Sequence, residues 1–213
     1  MIWQLIEESG LRYFQSSYKN YLCLCSTIYG TDLFLKKFKP ILIKQVHSET
    51  IIDVDHDPAR IGDGLTTATG KSIGVKVADC LPVFLFGEKR VCIIHCGWHS
   101  ITMGIAKKAA QSLGDYKYCL GAAIGSCCYE IKSDVAEQFR NELPSSIIHR
   151  DRRIFLNLKK AVTLQLGRQN MISSLEYCTK CHPEYFYSFR RGDRHKRNYA
   201  VIKHLLHGIQ DVD

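Results

Sequence analysis

Residues 77–98 read VADCLPVFLFGEKRVCIIHCGW, two apolar runs separated by the charged segment GEKR. Both runs, residues 82–86 and 91–95, are rich in β-branched and aromatic residues, which is typical of buried strands. The short segment between them predicts a turn and therefore a β-hairpin. Because Cys80 stands just before the first strand and His95 ends the second, the pattern predicts a cysteine and a histidine near one rim of a sheet.

The rest of the chain predicts strands mixed with helices. Further β-branched runs predict strands at residues 41–46, 51–54, 72–77, 118–124, 172–177 and 199–203. Helical spacing of apolar residues predicts helices at residues 100–113, 133–143, with Ser133 as N-cap, and 156–168. Strands cluster in the first half, which favours an α+β fold over regular βαβ alternation. Because no repeat, linker or glycine-rich phosphate loop is present, residues 1–213 are expected to form one domain.

The composition is that of an ordinary globular protein, with 46% hydrophobic and 23% charged residues. No apolar run approaches the roughly 20 residues that would span a bilayer. The first ten residues contain Glu7 and Glu8 and lack the basic and apolar regions of a signal peptide, so a cytoplasmic location is expected. The net charge of +8 is spread along the chain, except for a basic cluster at residues 190–197.

Ten cysteines are many for a cytoplasmic protein. Without an export signal they are expected to be thiols, a minority of which serve a metal or catalysis. Cys92 and the pairs Cys127–Cys128 and Cys178–Cys181 are expected to be buried packing residues. The sequence CTKCH at 178–182 also fits the motif for c-type haem attachment. With two further ligands, its cysteines could instead form a structural zinc site. Packing is the preferred interpretation of these cysteines.

Three residues at predicted strand ends are candidate metal ligands: His47, Cys80 and His95. Two neutral imidazoles and one thiolate are a suitable ligand set for Zn²⁺, and three protein ligands leave a fourth position for water, as in catalytic zinc sites. The intervals of 33 and 15 residues match no local zinc motif. Since a histidine at a strand end is also commonly a hydrogen-bonded structural residue, residue types alone leave both interpretations open.

A series of ordered motifs extends this pattern over residues 41–203. The motifs are KQVH (44–47), GDGLT (62–66), ADCLP (78–82), HCGW (95–98), IGSCCYE (124–130), CTKC (178–181) and FYSFRR (186–191). In these motifs the chain resembles the bacterial YfiH/YlmD family. That family was long described as polyphenol oxidase or multicopper laccase and is now regarded as zinc-dependent purine nucleoside enzymes. Its animal relative is laccase domain-containing protein 1.

The resemblance implies a mixed α/β single domain, CNF1/YfiH-like, with a central β-sandwich-like core flanked by helices. It implies His47, Cys80 and His95 as metal ligands, with zinc as cofactor and copper as an alternative metal. The activities it implies are phosphorolysis of adenosine, inosine and methylthioadenosine, together with adenosine deamination. A purine nucleoside and phosphate are therefore the expected partners, without membrane or nucleic acid, and the chain is expected to be a monomer or homodimer.

The implied reactions indicate further site residues. Zinc lowers the pKa of a bound water towards about 7, which serves deamination. Asp79, beside the catalytic Cys80, is the candidate proton carrier, with turn capping or orientation of a ligand as the alternative. Phosphorolysis needs a cationic clamp for phosphate. The candidates for substrate binding are Lys44, Arg190 and Arg191 at the phosphate and Gln45 at a base or ribose edge.

Two departures from the family pattern concern phosphate binding. HCGW is followed by His99, where relatives usually carry arginine. A protonated histidine can bind an anion or serve as an extra ligand, but it cannot make the bidentate contact of a guanidinium. The segment at residues 13–17 also lacks the arginine found in relatives. These departures bear on phosphorolysis and leave the three candidate metal ligands intact.

Other functions are therefore kept as alternatives. One is a copper-binding polyphenol oxidase-type oxidoreductase, although nine histidines, few of them near the motifs, are too few for several copper centres. Another is a degenerate protein that binds metal and nucleoside without turnover. The third is a non-enzymatic RNA-binding protein that uses the basic cluster at residues 190–197.

Overall fold

A computed structural model describes residues 2–205, which form two packed β-sheets with helices on both outer faces. A five-stranded sheet packs on a six-stranded sheet, and a small three-stranded sheet lies beside them. The predicted α+β class and its sandwich-like core are confirmed. Within the described range no helix is long and apolar enough to cross a membrane.

The structure contains fourteen strands and five α-helices among its described residues. The strands are β1 (Gln4–Glu8), β2 (Leu11–Tyr18), β3 (Tyr21–Ser26), β4 (Ile51–Asp53), β5 (Gly64–Thr67), β6 (Ile73–Val77), β7 (Leu81–Phe86), β8 (Val91–Cys96), β9 (Lys117–Leu120), β10 (Glu130–Ile131), β11 (Ile147–Arg150), β12 (Arg153–Leu156), β13 (Met171–Ser174) and β14 (Asn198–His204). The helices are α1 (Thr31–Phe38), α2 (Trp98–Thr102), α3 (Ile105–Leu113), α4 (Ser133–Arg140) and α5 (Leu158–Leu166).

The hairpin predicted from residues 77–98 lies in the middle of the six-stranded sheet, whose order is β13-β9-β7-β8-β5-β4. Strands β7 and β8 are antiparallel, with Pro82 opposite His95 and Leu81 opposite Cys96. Both strands are buried along their whole length, as their continuous apolar sequences predict. This register brings the residue before β7, Cys80, to the end of the sheet where β8 delivers His95.

Three apolar clusters hold the layers together. The largest lies between the six-stranded sheet and helices α2 to α5, and the second fills the space between the two large sheets. In the third, Phe34 and Phe38 of α1 pack on the outer face of the five-stranded sheet. Burying an aromatic or aliphatic side chain stabilises the fold by about 1.5–3 kcal/mol, so each layer is fixed by several such residues.

The structure corrects several predicted elements. Residues 41–46 do not form a strand and make only isolated bridges at Ile41 and Lys44. The predicted helix at 100–113 is broken at Gly104, whose φ of 88° is the left-handed conformation that glycine adopts readily. Helix α4 is preceded by Lys132 rather than capped by Ser133, and β9 ends at Leu120. Cys127 and Cys181 are exposed and not the buried packing residues expected.

Candidate metal centre

His47, Cys80 and His95 meet at the end of the central hairpin. Their ligand atoms all lie within 4.8 Å of one another, and Cys80 Sγ is 3.9 Å from His47 Nε2. The two imidazole rings are 4.9 Å apart between centroids. Residues separated by 33 and 15 positions are thus brought together because the loop before β4 crosses the rim where β7 begins and β8 ends.

Asp63 holds two of the three candidate ligands in place. Its Oδ1 accepts a hydrogen bond from His95 Nδ1 at 2.9 Å, which leaves Nε2 of that imidazole for the centre. Its Oδ2 accepts bonds from the backbone N–H groups of Val46 (3.1 Å) and Ser48 (2.6 Å) and from Ser48 Oγ (2.9 Å). Since His47 lies between those two donors, one buried carboxylate orients both histidines. Sequence reasoning missed this role, although Asp63 stands in the GDGLT motif.

Asp79 fixes the turn that carries Cys80. Asp79 has a φ of 89°, an unfavourable backbone conformation for a residue other than glycine. Its carboxylate accepts hydrogen bonds from Thr179 Oγ1 and from the backbone N–H of Arg190, both at 2.7 Å. Its own carbonyl accepts from the N–H of Ile124 at 2.9 Å. Three separate segments therefore hold the strained turn in place.

The electrostatics of the three candidate ligands favour a thiolate at Cys80. Burial raises the pKa of Cys80, but the positive charge of His95 and hydrogen bonds from both histidines more than offset it, lowering the pKa to about 6. Burial lowers the pKa of His95, while the Cys80 thiolate and Asp63 raise it, with a net rise to about 9. A metal ion entering this site would therefore meet a thiolate and would displace a proton from the imidazolium.

The residues present fit a zinc ion. Tetrahedral bonds of ~2.3 Å to sulfur and ~2.0 Å to nitrogen place the ligand atoms about 3.5 Å apart. The observed separation of 3.9 Å is close to that value. Gly97 keeps the centre open, because a Cβ there would lie 3.2 Å from Cys80 Sγ and 3.0 Å from His47 Cδ2.

The centre opens into a cavity of about 460 Å³. Besides the three candidate ligands, the lining contains four cationic and three aromatic side chains: Lys44, Lys76, Arg190, Arg197, Trp98, Tyr129 and Phe189. The Arg190 guanidinium stacks over the Tyr129 ring at 5.0 Å and donates from Nη1 to the Glu130 carbonyl at 2.9 Å. Such a cavity has room for a small anion together with an aromatic base.

The other predicted substrate-binding residues occupy different places. Gln45 lines the cavity, but its amide donates to the Lys76 carbonyl and accepts from the Lys76 N–H. Arg191 donates to the carbonyls of Thr179 and Phe186 and pairs with Asp193 at 2.7 Å, so it holds its own loop. His99 is outside the cavity lining, and its Nδ1 donates to the His47 carbonyl at 2.8 Å.

Comparisons with known proteins show the family of the chain. Residues 28–204 match the model of a family described as multi-copper polyphenol oxidoreductase laccase. A protein of Aquifex aeolicus named purine nucleoside phosphorylase is 33% identical over 175 residues, covering 77% of this chain and 82% of that protein. One of Clostridium acetobutylicum with the same name is 30% identical over 169 residues, covering 71% of each chain.

Solved structures show the same fold. The crystal structure of YlmD from Geobacillus stearothermophilus superposes with a TM-score of 0.81 at 21% identity, covering 94% of this chain and 98% of that one. The Bacillus licheniformis protein YfiH superposes with a TM-score of 0.79 at 20% identity, covering 93% and 98%. The chain therefore belongs to the multi-copper polyphenol oxidoreductase laccase family, the YfiH/YlmD group, in which curated relatives carry the name purine nucleoside phosphorylase.

Proposed function

We propose that this chain is a zinc-dependent purine nucleoside phosphorylase. The observation that carries the proposal is one cavity in which two imidazoles and a thiolate converge and which also exposes four cationic and three aromatic side chains. The names of the relatives from Aquifex and Clostridium support the same reaction class. Zn²⁺ at His47, Cys80 and His95 would supply a Lewis acid and lower the pKa of a water molecule there.

The cations of the cavity would bind phosphate. In phosphorolysis a phosphate oxygen attacks C1′ of the ribose while the bond from C1′ to the purine nitrogen breaks. The purine takes up a proton, and ribose 1-phosphate is the second product. Arg190 and Lys44 are the proposed clamp, with Arg197 beside them, because all three line the cavity. This set would take the role of the arginine that the family resemblance implies at the position of His99.

The aromatic side chains would hold the nucleoside. Trp98, Tyr129 and Phe189 offer ring faces and edges on which a purine base can stack. We propose that adenosine, inosine and methylthioadenosine are all substrates, since stacking on aromatic rings does not depend on the substituent at C6 or at C5′. Gln45 is left with little capacity for the base, because its amide is hydrogen-bonded to Lys76 on both sides.

Adenosine deamination is a second reaction that the zinc centre would support. Water adds to C6 of the base and ammonia leaves, giving inosine. Asp79 lines the cavity and directly precedes Cys80 in the sequence. One of its carboxylate oxygens accepts a hydrogen bond from Thr179, and the other accepts one from the backbone N–H of Arg190. We therefore assign Asp79 a positioning role at the Cys80 turn rather than the role of proton carrier.

Copper is the alternative metal, since a thiolate and two imidazoles also bind copper tightly. Over residues 2–205, however, the one other cluster of metal-binding side chains consists of four cysteines and contains no histidine. The several histidine-rich centres of a multicopper oxidase therefore have no ligands in that part of the chain. The basic cluster at residues 190–197 supports binding of a small anion in the cavity rather than binding of RNA. Arg190 and Arg197 line the cavity, and Arg191 is hydrogen-bonded within its own loop.

The test is a product assay on zinc-loaded protein with adenosine, in the presence and absence of phosphate. We expect adenine and ribose 1-phosphate only when phosphate is present. Inosine in both arms would establish deamination as an additional reaction. If adenosine, inosine and methylthioadenosine all give no product while zinc stays bound at His47, Cys80 and His95, the proposed function is wrong.

Replacing Arg190 by alanine is expected to raise the KM for phosphate by about 10- to 100-fold, as the loss of one charge-assisted hydrogen bond would do. The KM for the nucleoside should change much less. The substitution keeps the backbone N–H of residue 190, which donates a hydrogen bond to the Asp79 carboxylate, so the turn that carries Cys80 is retained. Arg194→Ala is the matched control, because that guanidinium contacts the Phe189 ring at 6.0 Å and is outside the cavity lining. An unchanged phosphate KM in Arg190→Ala would remove Arg190 from the clamp.

A further inference from the structure

Four cysteines from two distant loops meet at the surface and form a cluster that the nucleoside reaction does not use. This four-cysteine cluster consists of Cys127, Cys128, Cys178 and Cys181, whose sulfur atoms all lie within 4.8 Å of one another. Cys181 Sγ is 3.7 Å from Cys127 Sγ and 3.3 Å from Cys128 Sγ. Cys127 and Cys181 are exposed and the other two are half-buried, so the cluster is accessible to an ion from solvent.

The backbone around the cluster is shaped to bring sulfur atoms together. The segment Cys178–Cys181 has the C-x₂-C spacing of zinc sites and turns sharply, with the N–H of Cys181 donating to the Cys178 carbonyl at 3.1 Å. The N–H of Gly125 donates to Cys178 Sγ at 3.2 Å. A Cβ at Gly125 would lie 3.1 Å from Cys127 Sγ and 3.3 Å from Cys178 Cβ, so glycine allows the two loops to approach.

The distances match a metal site better than a pair of disulfides. Four thiolates around a tetrahedral zinc ion, with Zn–S bonds of ~2.3 Å, place their sulfur atoms about 3.8 Å apart. A disulfide requires ~2.05 Å between two sulfur atoms. The observed sulfur–sulfur distances of 3.7 and 3.3 Å are close to the edge length of such a tetrahedron. Each of the two loops contributes two of its four sulfur atoms.

We propose that the four-cysteine cluster binds one zinc ion as a structural site, separate from the His47/Cys80/His95 centre. Four thiolates without an open position are the ligand set of structural zinc, and soft sulfur ligands also select this ion over magnesium or calcium. The ion joins the loop at residues 125–128 to the loop at residues 178–181, two segments that are about 50 positions apart in the chain.

The second site supports the first. Thr179, which is 1% exposed, lies between the two cysteines of the C-x₂-C segment and donates its hydroxyl to Asp79. Tyr129, which lines the cavity, directly follows Cys128. A zinc ion at the cluster therefore fixes both the donor that holds the Cys80 turn and one aromatic wall of the cavity. This effect is positional, and the binding of the ion does not depend on the proposed nucleoside activity.

The test is the zinc content of protein purified under reducing conditions, measured for the wild type and for Cys80→Ala. We expect two zinc ions per wild-type chain and one in Cys80→Ala. Cys178→Ser combined with Cys181→Ser should remove the second ion and leave the first. Ser126→Ala, which alters a neighbour of Cys127 without removing a thiol, should keep both ions.

Cobalt substitution supplies a readout that is independent of activity and leaves all four cysteines of the cluster in place. In Cys80→Ala the first centre has lost its thiolate, so intense sulfur-to-cobalt charge-transfer absorption can arise only at the four-cysteine cluster. We expect that absorption in Cys80→Ala at one cobalt per chain. Its absence, or a chain mass that shows a disulfide within the cluster under reducing conditions, would overturn the proposal even if the nucleoside assay succeeds.

Discussion

Cys80→Ala is expected to lower kcat/KM for nucleoside phosphorolysis by about 10³-fold or more and to remove the zinc ion of the His47/Cys80/His95 centre. Of the three candidate ligands Cys80 alone is anionic, and its sulfur lies close to both imidazoles. Without it two neutral histidines remain, which bind Zn²⁺ far more weakly. A loss of several kcal/mol of transition-state stabilisation, the scale of metal-ion catalysis, corresponds to such a reduction in rate.

The measurement combines zinc content with steady-state kinetics on the same preparations. Cys92→Ala is the matched control, because it removes a thiol from the same hairpin at a position that is fully buried in the apolar core. We expect the control to keep the metal and its activity and to lose only some stability through a small cavity. Full activity in Cys80→Ala would show that the reaction does not use this centre.

The hairpin could be predicted because its signals are local, and it places two of the three candidate metal ligands together. Residues 82–86 and 91–95 are continuous apolar runs, and such runs form buried strands wherever two layers cover the sheet. Once the hairpin is set, Cys80 and His95 must lie at one end of it, and the QVH segment adds His47 through its motif. The helix predicted at 156–168 was found as α5 for a similar reason, since apolar residues recur along it at helical spacing.

The first three strands could not be predicted from the same rules. In β1 and β2, polar residues such as Gln4, Gln15 and Ser17 interrupt the apolar pattern, because one face of this edge of the sheet is partly exposed. These strands pair with each other in sequence order, but β3 joins the rest of the sheet through β14, about 175 positions later in the chain, which lies between β3 and β6. Contacts between residues so far apart in the chain cannot be recognised from a short stretch of sequence. The same is true of the four-cysteine cluster.

The candidate phosphate-binding residues were proposed from their charge, and charge alone does not distinguish a side chain that faces the cavity from one that holds its own loop. Arg190 and Arg191 are adjacent and chemically identical, yet Arg190 lines the cavity and Arg191 donates to three backbone carbonyls. The difference arises because a 3₁₀ turn at Phe189–Arg191 points successive side chains in different directions. Only the folded turn determines which of the two guanidinium groups faces the cavity.

Asp63→Asn is expected to weaken zinc binding at the same centre by about 10- to 100-fold, the usual cost of losing the partner that orients a metal-binding histidine. Asp63 is fully buried, and its two oxygens accept bonds from four donors, one of them on His95. An asparagine presents one oxygen and one NH₂ group to these donors. If the NH₂ group faces Val46 and Ser48, it meets their N–H groups and displaces the loop that carries His47.

The opposite orientation of the amide is no better. An NH₂ group that faces His95 can only donate, so the imidazole must accept at Nδ1 and carry its proton on Nε2, the nitrogen that would bind zinc. Either orientation removes one histidine from the centre. The burial of unmatched donors should also lower the free energy of unfolding by about 1–3 kcal/mol.

Zinc affinity, measured by competition with a chelator, and urea unfolding separate these two effects. Asp55→Asn is the control, because Asp55 is another carboxylate with several bonds, to Thr67, Thr69 and the N–H of Ala68, none of which carries a candidate metal ligand. It should reduce stability to a similar extent while leaving zinc affinity unchanged. Equal zinc affinities in Asp63→Asn and the wild type would mean that the histidines are positioned by the packing around them, and that the carboxylate serves only to satisfy buried donors.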